Sequence, residues 1–600
     1  MFQSFETAGQ RDLGPERLAA LRAAMEKAGI DAFLVPRADA HQGEYVAPRD
    51  ARLQWLTGFT GSAGFCVVTQ KEAGLFVDGR YTVQARDQVA DCFSVVRFPQ
   101  AKAGDWLAER LSQGARVGFD PWLHTRAAVE ALNDALGSGI AVMPVEPNPL
   151  DTIWPDQPAP PQGLVRLFPD DIAGKTAPEK IAEICETLKA DGHAFAALSL
   201  PDSIAWLLNI RGSDIPRNPV PHAFALVEAG TGDVRLFIDE AKLRDVEVSY
   251  PVFPPESVVQ ALSQLSGPVR IDRDTAPYIF SHALEEAQVK FVYAPDPCLL
   301  PKACKTEAEI AHTSEAHLRD AAAMCRFLHW LSDAEARVLQ GETITEIDVV
   351  EGLEGFRRAT DRLLDISFET IAGSGPHGAI VHYRVTHDTN RALADGELLL
   401  VDSGGQYDDG TTDITRTMAI GTPTDEQIDT YTRVLKGMIA LSRARWPKGL
   451  AGRDLDPLAR APLWRHGQDF DHGTGHGVGV ALSVHEGPQR ISRQSDIPLE
   501  VGMILSNEPG YYREGAFGVR IENLVAIEPA HPLPDQDDRE MLAFKTLTWV
   551  PLDRRLIDVA ALSPGERAWI DTYHAGIATR MTGRLPADVV HWLGDVTAPL

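Results

Sequence analysis

A chain of 600 residues and 65.5 kDa exceeds what a single hydrophobic core organises, so roughly two to four domains are expected. Hydrophobic residues at 44% and charged residues at 24% exclude a disordered or fibrous chain. The formal charge of −28, from 85 acidic against 57 basic residues and with no local Lys/Arg run, argues against a nucleic-acid partner, because such a field repels phosphates.

From Pro15 onward Leu18, Leu21, Ala24 and Met25 recur at helical spacing, and "DAFLVP" follows as a buried strand. Strands at "GFCVVT", "AGLFVDG" and "FSVVRF", with a helix through "YTVQARDQVA", make the first part α/β. The run "PNPLDTIWPDQPAPPQ" carries six prolines and reads as a linker, since proline continues neither helix nor central sheet. Beyond it, "KIAEICETLKADGHAFAALSLPDSIAWLLNIRG" repeats the order of helix, strand, loop and a Trp-Leu pair approaching glycine, which suggests a degenerate duplication. "APDPCLLPKACK" marks the second boundary. The expected domains are therefore residues 1–155, 156–304 and 305–600. The third opens with a long helix after Thr306 and mixes strands with helices in a curved α+β arrangement.

The cysteines, Cys66, Cys92, Cys185, Cys298, Cys304 and Cys325, show no CxxC pairing and read as reduced core thiols. The N-terminus has no apolar signal region, and no segment reaches about 18 uninterrupted apolar residues. No membrane partner and a cytoplasmic location are expected.

The chemistry lies in the third part. "LLLVD" and "TTDITRTMAI", joined by a glycine-rich turn, can pair antiparallel and bring Asp402 to Asp413. Alternation puts Asp413, Thr415 and Thr417 on one face, opposite Ile414, Arg416 and Met418. Two adjacent carboxylates repel unless one is protonated or a cation lies between them. Asp408 and Asp409 read as solvated turn acids. "HGTGHGVG" is too rich in glycine for a zinc helix and lacks the third glycine of a GxGxxG cradle, yet His472, His476 and His485 fall within 14 residues. In "SNEPGYY", Pro509 holds Glu508 extended at a strand end, and in "GVRIENLVAI" Arg520 and Glu522 share a face. Glu508 or Glu522 alone could equally serve structure. Together Asp402, Asp413, His476, Glu508 and Glu522 offer four carboxylates and one imidazole, a set that matches two divalent cations. Its oxygen-rich, thiolate-free character favours Mn²⁺ or Co²⁺ over a structural zinc and leaves Zn²⁺ and Fe²⁺ open.

This order of residues resembles the dimetal ligand set of the pita-bread metallopeptidases, and "DHGTGHGVG", "VHEGP", "SNEPGYY" and "VRIEN" are similar to those of aminopeptidase P. "DAHQGEYVAPRDARLQWLTGFTGSAGFCVVT", "LFVDGRYTVQA", "SIAWLLNIRGSDIPRNPV" and "TWVPLDRRLIDV" extend the resemblance to the long, three-domain cytosolic members nearly end to end. It implies a C-terminal pita-bread domain behind two related creatinase-type α/β domains, and a homodimer. By the same resemblance Asp402 binds one metal, Asp413 and Glu522 bridge both, and His476 and Glu508 complete the other. His382, His472, His485 and Arg520 match active-site positions, whereas His377 and His387 match none and read as surface residues.

The implied activity is hydrolysis of the N-terminal Xaa-Pro bond of peptides by metal-activated water. His485 and His382 would steady the oxyanion, Glu508 would carry the proton to the leaving proline nitrogen, and His472 would line the proline pocket. The alternatives are a prolidase, which cuts Xaa-Pro dipeptides, and a non-catalytic pita-bread binding module, which typically loses ligands. Methionine aminopeptidase is disfavoured by the two N-terminal domains, and metal-free creatinase by the complete ligand set.

Overall fold

The structure, a computed structural model, describes residues 1–6 and 9–600. The chain divides into two compact units, one built on Ala303–Leu600 with Asp171–Gly174 and the first residues of the chain, the other on Lys175–Lys302 and the chain up to Asp170. Among the described residues no helix is long and apolar enough to cross a membrane.

The N-terminal unit holds two six-stranded sheets of one design. In the first, Ala32–Pro36 pairs antiparallel with Phe65–Thr69, which pairs antiparallel with Ala73–Val77, and Ser94–Arg97 adds parallel at that edge. On its other side Ala32–Pro36 runs parallel with Arg116–Phe119, and that strand with Ala141–Pro144. The second sheet repeats the order and senses with Phe195–Leu198, Phe224–Glu228, Val234–Phe237, Val252–Phe253, Val269–Ile271 and Phe291–Tyr293. The duplicated pattern in the sequence is thus a duplicated topology. The proline-rich stretch is not a loose tether: Leu150 and Trp154 are buried in the first sheet's core, and Trp154 stacks on Trp55.

In the C-terminal unit the strands are antiparallel, as expected where helices do not cross over between neighbouring strands. A three-stranded sheet has Glu397–Ser403 at its centre, between Ile371–Ser374 and Ile414–Ile420. A six-stranded sheet runs in the order Arg445–Pro447, Met541–Thr546, Asn523–Pro529, Ile504–Asn507, Gly475–Gly477, Glu486–Ile491. The helix Glu307–Val338 starts at a capping box in which Thr306 accepts from the Glu309 amide and Glu309 accepts from the Thr306 amide. Of the strand Ile414–Ile420, Ile414 and Met418 enter the apolar core, while Arg416 is buried and donates to the carbonyls of Glu522, Val550 and Pro551.

One buried ion pair ties this frame to the site. Arg357, on the helix Glu346–Arg358, gives Nε and Nη2 to Asp320 on the long helix at 2.8 and 3.2 Å, and Tyr407 donates to the same carboxylate at 2.6 Å. Arg357 Nη2 also reaches the carbonyl of Ser403, next to Asp402, at 3.4 Å. Arg357→Met strands Asp320 as an unpaired buried charge and is expected to cost about 3–5 kcal/mol. A fall in the urea midpoint at unchanged slope would register it.

The turn acids differ from expectation in one case. Asp408 is partly exposed and pairs with Arg362, but Asp409 is 4% exposed and takes both ends of the Arg319 guanidinium, at 3.0 and 2.8 Å. It is a buried partner of the long helix rather than a solvated acid.

Candidate metal centre

The pairing read from the sequence places the first two acids. Asp402 lies opposite Thr415 across the central ladder, and Asp413 immediately precedes the strand Ile414–Ile420. The turn between them is itself a small hairpin of Gly405–Tyr407 and Gly410–Thr411. Glu508 directly follows the strand Ile504–Asn507, and Glu522 lies between Phe517–Arg520 and Asn523–Pro529. His476 occupies the centre of the strand Gly475–Gly477, whose glycines permit a close approach: a Cβ at Gly475 would lie 2.0 Å from the Ser506 carbonyl oxygen, and one at Gly477 2.3 Å from that of Glu486. The glycines of "HGTGHGVG" thus serve packing, not phosphate binding.

Oxygens of Asp413 and Glu522 and a ring nitrogen of His476 all lie within 4.8 Å of one another. His476 Nε2 is 3.5 Å from Asp413 Oδ2 and 3.5 Å from Glu508 Oε1. Its Nδ1–H donates to the Gly477 carbonyl at 2.9 Å, which turns Nε2 toward the acids. Asp402 joins through Arg520, whose Nη2 donates to Asp402 Oδ2 at 2.6 Å, while Arg520 Nε donates to Thr415 Oγ1 at 3.1 Å. Thr415 Oγ1 in turn donates to Glu522 Oε2 at 2.7 Å. Arg520 and Glu522 therefore do face the same side.

The cluster is short of positive charge. Asp402 Oδ1, Asp413 Oδ1 and Glu522 Oε1 are buried and have no hydrogen-bond partner. Burial raises the Asp402 carboxyl to about 6, with Asp413 adding to it against the lowering by Arg520. Burial also pushes Glu522 well above the carboxylate range, reinforced by Asp413, Glu508 and Asp402. Glu508 is raised by burial despite His476 and Arg520. His476 moves to about 9: burial would lower it, but Asp413 and Glu508 outweigh that. Three oxygens without donors, beside an imidazole nitrogen whose proton a cation would displace, fit divalent cations, which satisfy such oxygens without supplying hydrogens.

Around this core, His485 stands nearly perpendicular to His476 with ring centroids 4.3 Å apart. His472 donates from Nδ1 to the Gly473 carbonyl at 2.7 Å, and its Nε2 accepts from the Tyr512 hydroxyl at 2.8 Å. Tyr512 accepts in turn from Arg520 Nη1 at 2.6 Å. Tyr512 lies within "SNEPGYY", where no local pattern marks it; the Arg520–Tyr512–His472 chain reveals its place in the site. His382 is brought near through its neighbour: the Val381 carbonyl accepts from Arg520 Nη2 at 3.3 Å.

His377 is not a surface residue. It is half-buried, its Nδ1 lies 3.0 Å from both oxygens of the fully buried Glu346, and its ring packs on Tyr383 at 4.3 Å. Glu346 also accepts from the Ser374 amide at 2.8 Å and the Tyr383 hydroxyl at 2.9 Å, so one carboxylate clamps the segment that carries His382 on both sides. His387, by contrast, has a side chain 63% exposed.

These features define a class: an α+β fold whose strand ends gather carboxylates and an imidazole into one metal-capable group. The models of metallopeptidase family M24 and of its C-terminal region match residues 311–529 and 540–600, and two creatinase/prolidase N-terminal domain models match 17–152 and 156–309. The chain belongs to the Xaa-Pro aminopeptidase P family. It is 38% identical to aminopeptidase P2 of Arabidopsis thaliana, over 98% of this chain and 88% of that one, and 37% identical to a probable Xaa-Pro aminopeptidase P of Talaromyces marneffei, over 98% and 92%. The X-prolyl aminopeptidase of Caenorhabditis elegans, described as a cytosolic enzyme with a di-nuclear active site, superposes with a TM-score of 0.91 at 32% identity, over 98% of this chain and all of that one.

Proposed function

We propose that the chain is a metal-dependent Xaa-Pro aminopeptidase, which removes the first residue from peptides with proline in second position. The observation that carries this is the convergence of four carboxylates and one imidazole on a site with three donor-less buried oxygens, in a chain of the aminopeptidase P family. Asp402, Asp413, His476, Glu508 and Glu522 would hold two divalent cations. The oxygen-rich donor set favours Mn²⁺ over Co²⁺, Zn²⁺ or Fe²⁺.

When bound, such cations supply water activation and polarisation of the scissile carbonyl. Everything else falls to the chain. Glu508, fixed at its strand end by the hydrogen bond its backbone N–H donates to the Thr474 carbonyl at 2.9 Å, accepts the proton of the attacking water and delivers it to the proline nitrogen as the C–N bond breaks. That nitrogen carries no hydrogen in the substrate, so protonation is what makes it a leaving group. His485 and His382 donate to the oxyanion, and His472, held by Tyr512, flanks the proline ring. Arg520 offsets the charge of Asp402 and keeps the acid in place.

Glu346 is expected to act through His382. Glu346→Gln weakens the clamp on residues 374–383 and should lower kcat by up to about 100-fold with little change in KM, because a small misplacement of a reacting group costs rate rather than binding. Steady-state kinetics on an Xaa-Pro-Pro peptide would measure it.

The division into residues 1–155, 156–304 and 305–600 is supported by the extents of the matched family models. A cytoplasmic homodimer is supported by family membership and by the neighbour's description as cytosolic. Prolidase activity is the competing possibility, and substrate length separates the two. Release of arginine from Arg-Pro-Pro at a rate at least equal to that from Arg-Pro is expected; cleavage of the dipeptide alone would move the function to prolidase.

A further inference from the structure

The N-terminal unit contains a second group of metal-capable side chains. Oxygens of Asp39 and Asp50 and a ring nitrogen of His222 all lie within 4.8 Å of one another. Asp39 closes the loop after the strand Ala32–Pro36, where its Oδ1 accepts from the amides of His41 and Gly43 at 2.9 and 3.1 Å. That leaves Oδ2 directed at His222, 3.2 Å from Nε2. The two atoms stand at ion-pair distance, both are buried with no other hydrogen-bond partner, and Asp39 is 2% exposed.

Burial would raise the Asp39 carboxyl, but His222 outweighs it and holds the group down to about 2, so Asp39 stands ionised beside the imidazole. Asp50 and Asp151 share one guanidinium: Arg52 gives Nε and Nη2 to Asp151 but only Nη1 to Asp50. Arg37, a cation within reach of Asp39, also faces Tyr81 and Glu44. Burial raises the Asp50 carboxyl, and Asp39 adds to that against Arg52. His41 does not supply the missing charge: burial and His222 lower it to about 3. Its Nδ1–H donates to the Ser199 carbonyl at 3.0 Å, and its ring lies 4.5 Å from both His222 and Phe224, forming a fixed wall behind the His222 imidazole.

We propose that Asp39, Asp50 and His222 form a divalent-cation site of two carboxylates and one imidazole, separate from the M24 ligand set. The mixed oxygen and nitrogen donors suit Zn²⁺ or a neighbouring first-row ion, with water completing the shell. Its role is structural: the ion joins the loop after the first sheet's central strand to a residue preceding the Phe224–Glu228 strand of the second sheet.

The test counts metal. Full-length chain is stripped with chelator, reloaded with Zn²⁺, desalted and analysed for zinc per chain by mass spectrometry. The wild type is expected to hold one equivalent more than His222→Ala; equal zinc content in the two would overturn the site. The difference, not the total, is the readout, so it holds whatever the M24 centre retains. Should His222→Ala fail to fold, Asp413→Asn/Glu522→Gln leaves all three N-terminal ligands intact and is expected to keep at least one equivalent of zinc. A zinc-free double variant would overturn the proposal.

Discussion

Asp413→Asn is expected to remove peptide hydrolysis and, in metal-free protein, to raise stability. The substitution conserves volume, so packing is nearly untouched, but it deletes one of the buried charges that Asp402, Glu508 and Glu522 each feel as repulsion. Replacing groups that merely orient metal ligands costs 10–100-fold, so loss of the ligand central to the cluster should exceed about 100-fold in kcat/KM. Stability should move in opposite directions with and without metal. Bound cations stabilise the wild type by mass action, whereas in the metal-free wild type the repulsion of Asp413 with three neighbouring acids outweighs the single pair with His476 that the amide gives up. Thermal melts of both proteins, stripped and Mn²⁺-loaded, check the crossing. A metal-independent loss of stability would instead mark Asp413 as an ordinary core residue.

His485→Ala should lower kcat by about 10²–10³, the usual cost of losing one oxyanion donor, while bound metal stays at the wild-type level. The imidazole packs edge-on against His476 without being within the group of closest ligand atoms, so its removal opens space beside the centre but takes no ligand from it. Metal content by mass spectrometry alongside kinetics distinguishes the outcomes. Loss of metal would make His485 a ligand or a support for one, and unchanged kcat would remove it from the reaction.

Much of the site was legible because its residues sit where strands end. The glycine turn between two apolar runs dictates the antiparallel pairing of Glu397–Ser403 with Ile414–Ile420, and period-2 alternation then puts Thr415 beside the acids, where it bonds Glu522. Pro509 announces the strand end at Glu508. The misread residues share a different property, a partner far away in sequence. Asp409 looks solvated until Arg319, 90 residues earlier, is folded against it, and His377 looks superficial until Glu346, 31 residues earlier, is buried beside it. Alternation gives the face of a strand residue but says nothing about a turn residue's neighbour on another helix. The Arg520–Tyr512–His472 chain and the Asp39–Asp50–His222 cluster escaped for the same reason: each joins segments whose proximity is a product of the fold.

The central claim is metal-dependent removal of the residue before proline, and the most direct measurement is arginine release from Arg-Pro-Pro by chelator-stripped protein before and after Mn²⁺ is restored. No release before and release after restoration, absent in Asp413→Asn, is the predicted result. Release that persists in stripped protein, or none from protein shown to hold its metal, would contradict it.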